Sequence, residues 1–313
     1  MIESDFRLRA PDGTDVFVRR FEPDAGAPVR ATVQILHGMG EHSARYARFA
    51  RVLTAGGFAV FAADCRGHGK TAPSEAELGH FADRDGWTQV LADVRLVAAR
   101  IEELHPGVPH ALFGHSMGSF IALDALTQFG DSWNAAVLSG SSGGAGALGW
   151  ALRVAARAET LRVGVRGRSP FLEKLLFGRF NDAFAPARTE FDWLSRDAAE
   201  VDKYVADPFC GFVLRAGSLG ELAGALLRIQ RRAVLANVPR KLPILLVGGE
   251  LDPVGGRTGI VRLGTALRTA GVEHVAERIY TGARHEMLNE TNRDEVERDV
   301  CAWLTSAATR GAN

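Results

Sequence analysis

Cysteine is scarce: Cys65, Cys210 and Cys301 are scattered with no C-x-x-C spacing. That argues against a disulfide framework and against a structural zinc site of the paired-cysteine kind, and it fits a reducing, cytoplasmic setting. Long apolar runs are missing too. No stretch of about 18 apolar residues is present to span a bilayer, so contact with a membrane is expected to be peripheral. The opening MIESDFRLRAPDGTD has no apolar core followed by a small-residue cleavage site and does not read as a secretion signal. Neither sign of charge dominates: Lys plus Arg and Asp plus Glu both number 37. With no global field to attract a polyanion, nucleic acid is not an expected partner.

The 313 residues, 46% hydrophobic and 24% charged, describe an ordinary globular chain with room for one large α/β domain or two small ones. FRLRAPDGTDVFVRRFEP alternates apolar and polar residues around a PDG turn, which predicts an edge β-hairpin. RATVQILHG and FAVFAAD are continuous apolar strands on either side of a helical stripe at Tyr46, Phe49, Val52 and Leu53. Strand, helix, strand implies a parallel pair with a right-handed crossover. Asp85 is the expected N-cap of the helix WTQVLADVRLVAARIEELH. The alternation resumes through HALFG, AAVLSG, PILLVGGELD and HVAERIYTG and ends in the helix EVERDVCAWLTSAA. The fold class is therefore α/β, a mainly parallel, doubly wound sheet. Between about residues 145 and 239 the alternation stops and helices dominate, so 1–144 and 240–313 read as two parts of one core and 145–239 as a helical cap. Such an insertion sits above the carboxyl ends of the strands, where open α/β sheets place their sites. FLEKLLF and the arginine-studded WALRVAARAETLRVGVR within it fit either ordinary packing of cap on core or a lipid-facing mouth. Nothing here sets the oligomeric state.

The chemistry concentrates at GHSMG, with Ser116 at its centre between the strand HALFG and the helical run SFIALDALTQF. A strand turning sharply into a helix lifts a serine hydroxyl to where a base can reach it. A second G-x-S-x-G, centred on Ser142, also follows a strand, but AGALGW does not read as a helix start, so that segment is expected to be a flexible loop. A serine nucleophile needs an imidazole and a carboxylate, in the chain order Ser, acid, His. Asp252, just past PILLVGGE, and His285, just past HVAERIYTG, satisfy the order and the strand-end placement. Glu250 competes for the acid and His274 for the base, although His274 belongs at the other end of its strand. Two backbone N–H groups must receive the oxyanion, and Met117 and Met39 are the residues placed to supply them. His115 is expected in the pocket floor or beneath the elbow, and DCRGHGKT as a brace for the site loops.

HGMGEHSARY, DCRGHGKT, GHSMGS, GELDPV and ARHEMLNE, in that order, resemble the oxyanion loop, fourth-strand turn, elbow, acid loop and histidine loop of one family. It is the lysophospholipase and monoacylglycerol lipase branch of the α/β-hydrolases, often grouped with serine aminopeptidases. The resemblance runs from about residue 6 to 303, and VDKYVADPFCGF resembles the stretch that closes the cap in bacterial members. It implies Ser116, Asp252 and His285 as a triad, Met39 and Met117 as the oxyanion hole, and no metal or organic cofactor. The implied substrate is a small lipid or ester, commonly a monoacylglycerol or lysophospholipid, cleaved through an acyl-enzyme. His42 and Arg45 are candidates to meet its alcohol or head group. Carboxylesterase, thioesterase, acyltransferase and aminopeptidase chemistry use the same triad and remain alternatives. A non-catalytic receptor for a small ligand is a remoter one.

Overall fold

The computed structural model describes residues 1–144 and 146–310, without the side chains of residues 147, 148, 309 and 310. In chain order, β1 (Ile2–Arg9), β2 (Asp15–Glu22) and β3 (Ala31–Leu36) lead into α1 (Ala47–Ala55), β4 (Phe58–Ala63), α2 (Gly86–Leu104) and β5 (His110–His115). Next come α3 (Met117–Phe129), β6 (Ala135–Ser139) and five helices: α4 (Gly146–Val163), α5 (Pro170–Phe177), α6 (Ala198–Ala206), α7 (Ala216–Ile229) and α8 (Arg232–Leu235). The chain then returns through β7 (Ile244–Gly249), α9 (Gly256–Ala270), β8 (Val275–Tyr280) and α10 (Arg293–Arg310).

The eight strands form one sheet in the order β1-β2-β4-β3-β5-β6-β7-β8. β1 pairs antiparallel with β2, and β2 with β4; every other pairing is parallel. The expected edge hairpin and mainly parallel sheet are both present. Strands β3 to β7 are buried along their full lengths, as continuous apolar runs covered on both faces must be. α1 and α10 cover one face, with Phe49, Leu53, Val300 and Leu304 fully buried. α2, α3 and α9 cover the other, and their core continues without a break into Leu152 of α4, Leu172 of α5 and Leu219 and Leu222 of α7. The inserted helices are thus fastened to the sheet by shared apolar burial. The boundary expected at residue 145 falls outside the described residues.

One local expectation fails. Asp85 has a left-handed backbone (φ 53°) and its side chain does not cap α2. Instead the carboxylate of Glu221 on α7 accepts the N–H groups of Gly86 (3.0 Å) and Trp87. A helix N-terminus presents orphan donors and partial positive charge, and a carboxylate from another element meets both needs. Gly86 leaves room for it, since a Cβ there would stand 2.9 Å from Glu221 Oε2. Glu221→Ala is therefore expected to lower the free energy of unfolding by about 1–2 kcal/mol. Asp85→Asn should change it by less than about 0.5 kcal/mol; urea denaturation of the two variants checks both.

Candidate active site

Ser116 has a positive φ (φ 51°, ψ −120°), which among the described non-glycine residues only Asp85 shares. Its N–H donates to Ser139 O of the neighbouring strand (2.8 Å), and α3 begins at the next residue. The flanking glycines permit the turn. A Cβ at Gly114 would lie 2.4 Å from Gly118 O, and one at Gly118 only 2.1 Å from Leu36 O. No side chain fits at either position, so the G-x-S-x-G spacing records two close backbone approaches.

Around Ser142 the sequence reading needs correction. A helix does follow, because α4 starts at Gly146. Ser142 differs from Ser116 in its backbone, which lacks the positive φ, and in its packing: a Cβ at Gly259 of α9 would stand 2.6 Å from its hydroxyl. It forms part of a cavity wall.

Asp252 and His285 meet beyond the ends of β7 and β8. Oδ1 of Asp252 accepts the N–H of Val254 (2.8 Å), fixing the turn, and Oδ2 lies 2.9 Å from Nδ1 of His285, at an angle too oblique for a straight hydrogen bond. Both side chains are buried. Burial pulls the His285 imidazole toward neutrality, but the Asp252 charge beside it outweighs this and raises its pKa above the ordinary value. Glu250 is occupied elsewhere, by Arg257 (3.1 Å) and the N–H of Gly282 (3.1 Å). His274 is exposed and precedes β8, away from this end of the sheet. His115 is buried with its ring 4.9 Å from that of His285, and burial, reinforced by His285, drops its pKa to about 4.

Ser116, His285, His115, Met39 and Met117 all line one cavity of about 650 Å³. Its remaining wall includes Leu152, Phe177, Phe180, Leu222 and Leu226 from the inserted segment and Val254 from the Asp252 turn. Met117 opens α3, so its N–H is among the donors a helix leaves unpaired. In the loop after β3, Gly40 is left-handed (φ 63°), and a Cβ there would strike Phe212 O at 2.5 Å.

That loop is held by buried polar groups. Glu41 Oε1 accepts the N–H of Gly38 (2.6 Å) and the Tyr46 hydroxyl (2.9 Å). Arg45 donates to Glu41 Oε2 (2.7 Å) and, through both terminal nitrogens, to Glu286 (2.6 and 2.7 Å), the residue after His285. Burial would raise the Glu41 pKa, yet Arg45 and the nearby histidines hold it well below the usual carboxylate range. His37 Nε2 accepts the N–H of Cys65 (2.9 Å), so its Nδ1 carries the proton and donates to Gly38 O (2.7 Å). His37 and His68, whose rings lie 5.0 Å apart, are both pushed by burial below the ordinary imidazole value, His68 to about 3. In DCRGHGKT, Asp64 accepts the N–H groups of Ser43 (2.8 Å) and Lys70 (2.7 Å), while Arg66 joins Asp12 to Asp93. The segment braces the loops.

His42 and Arg45 do not line the cavity, contrary to expectation. Arg45 is spent on two carboxylates, and His42 Nε2 pairs with Asp207 Oδ2 (2.9 Å) in the inserted segment. Sequence reasoning missed Glu41, Glu286 and Trp193. Trp193 packs at a tilt against His285, ring centres 5.0 Å apart, and Glu286 N–H donates to Leu194 O (2.8 Å), which docks the histidine loop on the insertion. Only Glu41 carried a local signal, three residues beyond the glycine whose N–H it accepts.

Comparison with known proteins places this geometry. A family profile described as "Serine aminopeptidase, S33" matches residues 27–292. The chain is 30% identical to the monoglyceride lipase of Homo sapiens, over 96% of this chain and 90% of the other. It is 29% identical to the monoacylglycerol lipase of Mycolicibacterium smegmatis, over 88% and 89%. Among solved structures, a highly thermostable carboxyl esterase from Bacillus coagulans superposes with a TM-score of 0.90 at 28% identity, covering 98% of this chain and 99% of that one. Elbow, strand order and these matches agree: the chain belongs to the serine aminopeptidase S33 family of α/β-hydrolases, on the branch that includes the monoacylglycerol lipases.

Proposed function

We propose that the chain is a serine hydrolase that cleaves the ester of a monoacyl lipid, with Ser116 as nucleophile, His285 as base and Asp252 as the orienting acid. The observation that carries this reading is the buried His285–Asp252 pair, 2.9 Å apart, beside the same cavity as a serine held at positive φ in its elbow. Ser116 Oγ attacks the carbonyl carbon as His285 Nε2 takes its proton, and Asp252 stabilises the resulting imidazolium. The N–H groups of Met117 and Met39 receive the oxyanion. Collapse of the tetrahedral intermediate breaks the ester C–O bond, and His285 returns the proton to the departing alcohol. Water then attacks the acyl-serine by the same route and releases the fatty acid.

The substrate class rests on the names of the relatives and on the apolar cavity wall, which suits one acyl chain. A broader carboxylesterase is the second reading, favoured by the likeness to the Bacillus coagulans esterase. In this proposal the helices between β6 and β7 act as a cap. Trp150, Val154 and Leu161 on α4, and Phe171 on α5, are exposed, Leu161 by 85%, beside exposed Arg153, Arg157 and Arg162. An apolar helix face flanked by arginines suits peripheral contact of a cytoplasmic enzyme with a lipid surface. Among the described residues no helix is long and apolar enough to cross a membrane.

Ser116→Ala should abolish labelling by a fluorophosphonate probe and lower kcat by about 10⁴-fold or more, whereas Ser142→Ala should retain both; persistence of the label in Ser116→Ala overturns the assignment. The base must be neutral to act, so kcat/KM is expected to rise with pH through the His285 pKa, above its ordinary value. Asp252→Asn removes the charge that raises it; the acid limb should move to lower pH while kcat falls by about 10⁴-fold, as pH–rate profiles on a soluble ester will show. The double variant Trp150→Ser, Leu161→Ser should slow hydrolysis of monoacylglycerol in vesicles several-fold and leave a short p-nitrophenyl ester untouched. An equal loss on both substrates would argue against the lipid-facing role.

A further inference from the structure

His42, Asp207 and Cys210 bring an imidazole, a carboxylate and a thiol together at the seam between the loop after β3 and the segment after α6. Their ligand atoms lie within 4.8 Å of one another, and all three residues are partly buried. The spacing in sequence hides the cluster, because His42 and Asp207 are 165 positions apart. We infer that this trio is a binding site for a zinc-type divalent cation, with one coordination position left to water.

Several features of the trio favour metal binding over a chance encounter. Asp207 Oδ1 is used locally, accepting the N–H of Phe209 (2.9 Å), which leaves Oδ2 directed at His42 Nε2, 2.9 Å away. The N–H of Cys210 donates to Asp207 O (3.0 Å), so one turn fixes two of the donors relative to each other. The third is fixed from the other side: Gly211 N–H donates to Gly40 O (3.0 Å), and the His42 ring packs edge-on to Phe209 at 5.9 Å. Nitrogen, oxygen and sulfur donors together suit zinc and its neighbours better than magnesium or calcium, which take oxygen. Ligand atoms of a tetrahedral zinc site stand about 3.5 Å apart, so closure requires a shift of about an ångström. Burial and the nearby carboxylates outweigh Arg45 and keep the Cys210 thiol protonated in the empty site, so binding a cation would have to displace that proton, as coordination to a cation does. The positive charge of Arg45 is itself matched by Glu41 and Glu286. A bound ion would staple the inserted segment to the loop that carries Met39.

The inference does not depend on the hydrolytic reading, and its test does not use turnover. The purified full chain, kept reduced, is titrated with Co²⁺ while the near-ultraviolet thiolate-to-cobalt absorption is followed. The site predicts a saturable band that Zn²⁺ bleaches by competition. The band should vanish in Cys210→Ser, and Co²⁺ should bind about tenfold or more weakly to His42→Gln, both variants giving the parent circular-dichroism spectrum. Zn²⁺ should raise the Tm of the parent and not that of Cys210→Ser. If Cys210→Ser does not fold, His42→Gln decides. No band in the parent, a band that survives Cys210→Ser and so arises from Cys65 or Cys301, or affinity unchanged in His42→Gln would each overturn the site.

Discussion

The arrangement depends on one buried cation. Arg45 lies between Glu41 and Glu286, joining the loop after β3 to the loop that carries His285, and its guanidinium also stacks 4.8 Å above the Tyr204 ring of α6. Three separately built parts of the chain thus share one charge. Burying ions is expensive, and such a cluster stands only while every member is satisfied. Here Glu41 accepts from Gly38, Tyr46 and Arg45, and Glu286 from Arg45 and Asn289. Without the guanidinium the two carboxylates would keep only neutral donors for their buried charges, and the direct tie between the loop of Met39 and the loop of His285 would be lost.

Around this point the backbone is set by contacts too close for side chains. Gly114, Gly118 and Gly249 each face a carbonyl oxygen at 2.0–2.4 Å from where a Cβ would sit: Gly118 O, Leu36 O and Arg284 O respectively. These approaches seat the elbow on the end of β3 and the histidine loop on the end of β7, while the helices behind them provide the apolar burial. Packing supplies the stability, and glycine permits the convergence.

The fold was readable because each central strand is a continuous apolar run and each helix keeps its stripe; both are local patterns that burial then uses. That Ser116, Asp252 and His285 lie at one end of the sheet was readable for a related reason, since each lies within a few residues after a strand and the ends of parallel strands share one edge. Arg45, His42 and Asp85 were misread because their roles depend on partners far along the chain: Glu286, Asp207 and Glu221. Propensity marked Asp85 as a cap, but a carboxylate from α7 already held the donors it would have taken. At Ser142 the helix start was missed because a glycine-rich segment reads as a loop, while the core it shares with α7 draws α4 into shape.

His37, His68 and His115 are buried as neutral rings beside the site, each resisting a proton that it would accept near pH 6.5 in an unfolded chain. For such a group the stabilising contribution is complete above the unfolded pKa and drains away as the medium is acidified. Each ring removes up to about 1.4 kcal/mol per pH unit below that value until its own folded pKa is reached. His285, with a raised pKa, has the opposite sign: its contribution is lost as the pH rises through its folded pKa and is already complete below the unfolded value, so it does not counter the further loss in acid. Mild acid is therefore expected to lower the stability of the native state, independently of any effect on proton transfer.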